Sequence, residues 1–190
     1  MKNIKFNLII NFFCVLLFFS IAVPSAVNAQ KRDYMTDAET ELVRDAQEID
    51  RRIDILVKMI DRRFAIINNE TLKAEKNSEK WGEMPKGTRL ELLSDINKLL
   101  QKAIDDIDDV AAHNRMDGKL FPIAMRNLAE AANKYLPKLK AVYDQSPDEK
   151  EKGLIIGATE FCQQIIEASS KVPKDLPKDD KKKKTKNDTK

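Results

Sequence analysis

Asp105-Asp106-Ile107-Asp108-Asp109, followed by His113, is the densest group of potential ligands in this 190-residue chain. Asp105, Asp106 and Asp109 have the Asp-Asp-x-x-Asp spacing. On a helix that spacing sets carboxylates on one face, where they could hold magnesium and, through it, a diphosphate. Such chemistry needs a second acidic motif on a facing helix, and the sequence offers none. Asp109 and His113 are four residues apart, so they share a helical face and could share a divalent cation. One imidazole and one carboxylate make only part of a site. The expectation the neighbouring residues favour is a solvated acidic face opposite Ile104, Ile107 and Val110, with Lys102 paired to Asp106. Metal binding by Asp105, Asp106, Asp109 and His113 stands as the alternative.

His113 is the only histidine in the chain, so any Ser-His-Asp or Cys-His mechanism would have to run through it. No serine is flanked by glycines in the manner of a nucleophile elbow. Cys162 lies on an apolar helical stripe with Phe161 and Ile165, where a thiol acts as a small core residue. Carboxylates are plentiful enough for paired-acid hydrolysis, but aromatic residues are only 6% of the chain, few for lining a sugar cleft. Covalent haem attachment needs Cys-x-x-Cys-His, which is absent. The expectation is a protein that is not an enzyme and uses no cofactor.

Groups suited to contact rather than catalysis stand out more clearly. Asp50-Arg51-Arg52 and Asp61-Arg62-Arg63 repeat eleven residues apart, each after an isoleucine. Eleven residues are close to three helical turns, so the two arginine pairs should point the same way. Arg51, Arg52, Arg62 and Arg63 could meet a polyanion or an acidic partner, or form a solvated, salt-bridged face. Trp81, in a loop, could anchor a partner or cap the end of a core. Lys181, Lys182, Lys183 and Lys184 could hold an anionic lipid or wall polymer, or serve solubility alone. The expected partner is an envelope protein or an anionic surface polymer. Nucleic acid is not expected. Residues 30–173 carry 24 Lys and Arg against 27 Asp and Glu, whereas residues 174–190 carry eight Lys against four Asp. The isoelectric point near 8.7 therefore comes from the two ends and not from the body.

The first 29 residues explain the basic start. Lys2 and Lys5 precede an apolar run from Leu8 to Val23, then Pro24-Ser25 and Val27-Asn28-Ala29. That order predicts a cleavable secretory signal, ending after Ala29, and an exported protein, periplasmic or extracellular. The alternative is an uncleaved inner-membrane anchor, although the run is shorter than the ~20 residues that span a bilayer comfortably. No later segment is long and apolar enough to span. Cleavage removes Cys14 and leaves Cys162 alone, so no disulfide within the chain is expected and helix packing must carry stability.

These groups must be positioned by helices, since no strand-like alternation of any length occurs. Thr36-Asp37-Ala38-Glu39 is a capping box. It opens a stripe through Leu42, Ala46, Ile49, Ile53, Leu56, Ile60, Phe64 and Ile67, which predicts one long first helix. Residues 70–80 are polar, and Trp81–Gly87 is a Gly/Pro loop. Thr88-Arg89-Leu90-Glu91 is a second capping box, ahead of Leu93, Ile96, Leu100, Ile104 and Ile107. A third helix starts near Phe121-Pro122, with Pro137 expected to kink or interrupt it. Ser146-Pro147-Asp148-Glu149 reads as the start of a fourth, with Ser146 as N-cap. Its Gly153 and Gly157 could admit a neighbouring helix. The expected architecture is all-α. A signal (1–29) precedes an up-down bundle of about four amphipathic helices (30–173), the first of them long, and a disordered Lys/Asp-rich tail (174–190) follows.

Overall fold

Thr36 and Glu39 open the first helix as the sequence predicts. The Thr36 hydroxyl accepts from the Glu39 N–H at 3.2 Å, and the Glu39 carboxylate accepts from the Thr36 N–H at 3.0 Å. In a computed structural model, which describes residues 32–70, 78–113 and 119–172, this box starts α1 (Asp37–Asp45). The elements that follow are α2 (Ile49–Ile67), a 3₁₀ turn (Ser78–Trp81), α3 (Arg89–Ala112), α4 (Leu120–Gln145) and α5 (Glu149–Ser170). The described residues contain no strand, so the fold is all-α. Both proposed end segments, the signal and the tail, lie outside the described residues. No helix among the described residues is long and apolar enough to cross a membrane.

The expected single long first helix is two helices. Ala46 adopts an extended backbone (φ −80°, ψ 91°), and its N–H closes the last turn of α1 onto Leu42 and Val43. α2 starts after Glu48, whose side chain makes no capping bond. The Arg52 Nε donates to the Ala46 carbonyl at 3.0 Å, which fixes the joint against α2.

α3 opens with its own box, in which the Thr88 N–H donates to Glu91 at 2.7 Å. α4 runs unbroken through Pro137, so of the kink or interruption expected there the interruption does not occur. Pro137 and Asn133 lie on the exposed side. The Asn133 carbonyl, denied an N–H four residues on, therefore faces water and not the core. Asp148, not Ser146, is the N-cap of α5 and accepts from the Lys150 N–H at 2.8 Å. Ser146 instead ends α4, and its buried hydroxyl donates to Glu151.

Contacts between helices fix the topology. Arg63 lies near Asp95 and Arg52 near Asp106, so α2 and α3 are antiparallel. Asp54 meets Asn127 and Phe64 meets Tyr135, so α2 and α4 are parallel. Arg89 meets Glu151 and Asn97 meets Leu154, so α3 and α5 are parallel. Directions therefore alternate along the chain. Around the bundle the order is α2, α3, α5, α4, and consecutive α3 and α4 meet across the diagonal. The core is one cluster, including Leu56, Ile60, Phe64, Leu93, Ile96, Leu100, Leu128, Ala132, Tyr135, Leu139, Ala158 and Cys162. The side of α5 that faces it is built from Ile155, Ala158, Cys162 and Ile165.

Candidate functional site

Arg62 and Arg63 are not on a solvent face. Their exposures are 5% and 0%, and the carboxylates facing them, Glu39 and Asp95, are at 0% and 1%. Arg51, by contrast, is exposed and Arg52 half-buried. The eleven-residue repeat keeps helical phase, as expected, but the second pair lies under α1 and the Trp81 loop while the first does not.

The Arg63 guanidinium forms a fork with Glu39. Its Nη1 donates to one carboxylate oxygen at 2.6 Å and its Nη2 to the other at 2.7 Å. The remaining terminal N–H groups reach the carbonyls of Met59 at 3.0 Å and Tyr34 at 2.6 Å. The Nε lies 3.8 Å from Asp95. Arg62 donates from Nη1 to the Trp81 carbonyl at 2.8 Å and from Nη2 to the Glu83 carbonyl. Its guanidinium carbon sits 5.3 Å from the centre of the indole, a cation–π contact. Its Nε is 3.5 Å from Glu39. Neither Nε finds a hydrogen-bond partner among the described residues. Burial pulls the Arg62 guanidinium below its usual range, Glu39 opposes that, and Arg63 adds to it.

Two cations thus face two carboxylates in a nearly water-free pocket. Burying charge is tolerated only with such pairing and bonding. The sequence marks Glu39 as a capping residue, and it is one. Its second role, as the buried counter-ion of Arg63, lies 24 residues away and leaves no local signal. Trp81, half-buried against the core, joins this assembly through its ring and its carbonyl.

The acidic run is dispersed. Asp105 is exposed and accepts from Gln101 at 2.8 Å, while Asp106 takes Lys102 at 2.8 Å and has Arg52 at 3.8 Å. Asp109 and His113 come together at the exposed end of α3, with Nδ1 3.3 Å from the carboxylate. Among the described residues no three His, Cys, Asp or Glu side chains converge as metal ligands. Asp105 and Asp106 therefore do not complete the Asp109–His113 pair.

Cys162 is fully buried, and burial pushes its thiol up to about 12. A cavity of about 200 Å³ lies between α2 and α4, bordered by Val57, Asp61, Asn127, Ala131 and Tyr135. The Tyr135 hydroxyl donates to the Val57 carbonyl at 3.0 Å. Lys181–Lys184 lie outside the described residues. Compared with protein-family models, curated proteins and solved structures, the chain matches none of them.

Proposed function

We propose that this is an exported, non-enzymatic helical bundle that works by binding a partner at its surface, as an envelope scaffold, adaptor or chaperone-like protein. The observation that carries this reading is the half-buried indole of Trp81, held at one end of α2 over the buried Arg62 guanidinium, with Arg63 beside it. Arginine and tryptophan are the side chains that dominate binding energy at protein interfaces. Here two guanidiniums and an indole are collected beside a loop and a short helix. Among the described residues, His113 has Asp109 as its neighbour in the open, and Cys162 is sealed in the core. Arg51 on the exposed side of α2 and the Lys181–Lys184 run are the remaining candidates for contact with an anionic polymer.

Two measurements test the proposal. Mass spectrometry of the protein recovered from the host's envelope fraction should find the chain starting at Gln30. The intact precursor in the cytosol would overturn export. Affinity capture from envelope extract should then retain one partner in stoichiometric amount, and Trp81→Ala should weaken that retention. Equal, empty captures with the mature chain and with a form lacking residues 174–190 would overturn the surface-binding reading.

A further inference from the structure

We propose that α1 is a releasable strap, that Glu39 fills from within the chain a carboxylate site made by Arg62 and Arg63, and that the external ligand of this site is an acidic peptide. The proposal rests on the surface-binding reading and gives that reading a partner chemistry.

The geometry at Glu39 is that of a ligand in a receptor. Both carboxylate oxygens meet both terminal nitrogens of Arg63, with the Arg62 Nε at 3.5 Å. This fork is how arginine recognises a free carboxylate. Both arginines belong to the bundle, and the bundle also holds them from behind. The Met59 carbonyl and Asp95 position Arg63, and the Trp81 and Glu83 carbonyls position Arg62. From the α1 side come the Glu39 carboxylate and, just ahead of the helix, the Tyr34 carbonyl, which accepts from Arg63 at 2.6 Å.

α1 is also built to leave. It contacts α2 and the 3₁₀ turn, and none of α3, α4 or α5. It is nine residues long, too short to persist as a helix in water without its docking site. Leu42 and Val43 stay half-buried, so its deepest contact within the helix is the Glu39 carboxylate. The joint at residues 46–48 has no capping bond to α2, while Arg52 holds its Ala46 carbonyl. The pivot thus stays fixed when α1 swings. Departure of Glu39 leaves two guanidiniums against Asp95 alone. A glutamate or aspartate side chain of a peptide restores both the fork and the charge balance.

A fluorescein-labelled hexaglutamate peptide, followed by anisotropy at low ionic strength with the full chain, provides the test. Glu39→Gln keeps a side chain able to cap Thr36 and removes the internal anion. It should bind the peptide at least roughly tenfold more tightly, since the competent state becomes the major one, and should exchange the amides of residues 37–45 faster. Ala38→Cys/Gly82→Cys provides the opposite change. A Cβ at Gly82 would lie 3.0 Å from that of Ala38, closer than the ~3.5–4.5 Å of disulfides, so α1 must back off by about half an ångström for oxidation to lock the strap. The left-handed backbone at Gly82 (φ +57°) makes the reduced form of the same variant the proper reference, and both forms carry the same lysine-rich end. Oxidation should lower peptide binding to the level that the lysine-rich end alone retains, and a reductant should restore it. Equal binding by oxidised and reduced forms overturns the proposal, as does a Glu39→Gln protein that binds no more tightly than the parent. A natural partner captured equally by both forms would retain the surface-binding reading and remove this site from it.

Discussion

Arg63 can be buried because each of its four terminal N–H bonds meets an acceptor, two of them on Glu39 and two on backbone carbonyls. Removing the guanidinium takes the fork from Glu39 and leaves Arg62, 3.5 Å from Glu39, as the cation facing two buried carboxylates. Arg63→Ala should therefore cost about 3–5 kcal/mol, the range for breaking a buried pair from one side, seen as a lower urea midpoint. Arg51→Ala, on an exposed turn, should change the midpoint by less than about 0.5 kcal/mol. Cys162 and Tyr135 set a pH limit. Burial holds the Cys162 thiol at about 12 against an ordinary 9.0. Burial and the nearby Asp61 hold the Tyr135 phenol well above 10.0. Both stay protonated in the folded chain where the unfolded chain releases its protons. Their contribution is therefore complete below about pH 8, a unit under the ordinary thiol value of 9.0, and is lost as pH rises toward 12. Urea midpoints at pH 7, 9 and 10.5 should fall in that order, and Cys162→Ala should flatten the decline above pH 9. The burial of Cys162 was legible from its place between Phe161 and Ile165. That of Arg62 and Arg63 was not, because a phase argument says which way a side chain points and nothing of what covers it.

At the scale of the helix, the two glycines of α5 separate a close approach from an open surface. A Cβ at Gly157 would lie 2.9 Å from the Asn97 Oδ1, whereas at Gly153 it would meet nothing within 4 Å. Asn97 cannot turn aside freely, because its amide donates to the Leu93 carbonyl at 3.0 Å and the Leu154 carbonyl at 2.8 Å, tying α3 to α5. Gly157→Ala should lower stability by about 1–2 kcal/mol through this crowding. Gly153→Ala should raise it by about 0.5–1 kcal/mol through helix propensity alone. Thermal melts of the two variants check both signs, and a gain at Gly157 would mean that the α3–α5 seam has slack. The sequence showed that α5 could admit a neighbour at either glycine. Which one it uses depends on the register of α3 against α5, a tertiary fact. Capping boxes at Thr36 and Thr88 were legible because their partners are three residues apart. The joint at Ala46 was hidden because Ala46 and Ile49 keep the helical spacing across it, so the apolar stripe continues where the hydrogen bonds stop.

Over the whole molecule, the diagonal step from α3 to α4 gives α2 two bundle neighbours, one antiparallel and one parallel, and makes its inner face common to both. Alternating direction was legible from four apolar stripes with short links. The order around the bundle was not, since every amphipathic face is satisfied by any neighbour of matching width. This architecture divides the chain into two classes of stability. α2, α3, α4 and α5 share one apolar cluster, so none can leave without opening it. α1 is attached through Glu39, Ala46, the turn at Ser78–Trp81 and the half-buried Val43, with Tyr34 and Met35 packed on the core just ahead of it. Its opening free energy should lie several kcal/mol below that of global unfolding, at the low end of the range that native-state exchange reveals. Hydrogen exchange in increasing sub-denaturing urea should show the amides of Thr40–Val43 opening early with a small denaturant dependence. The amides of Leu93–Ala103 should exchange only with the large dependence of global unfolding. If the α1 amides instead followed the global line at every urea concentration, α1 would be an integral part of the bundle and Glu39 a permanent counter-ion. A separate, shallower line would mark α1 as its own cooperative unit, whose docking is an equilibrium that a competing carboxylate can shift.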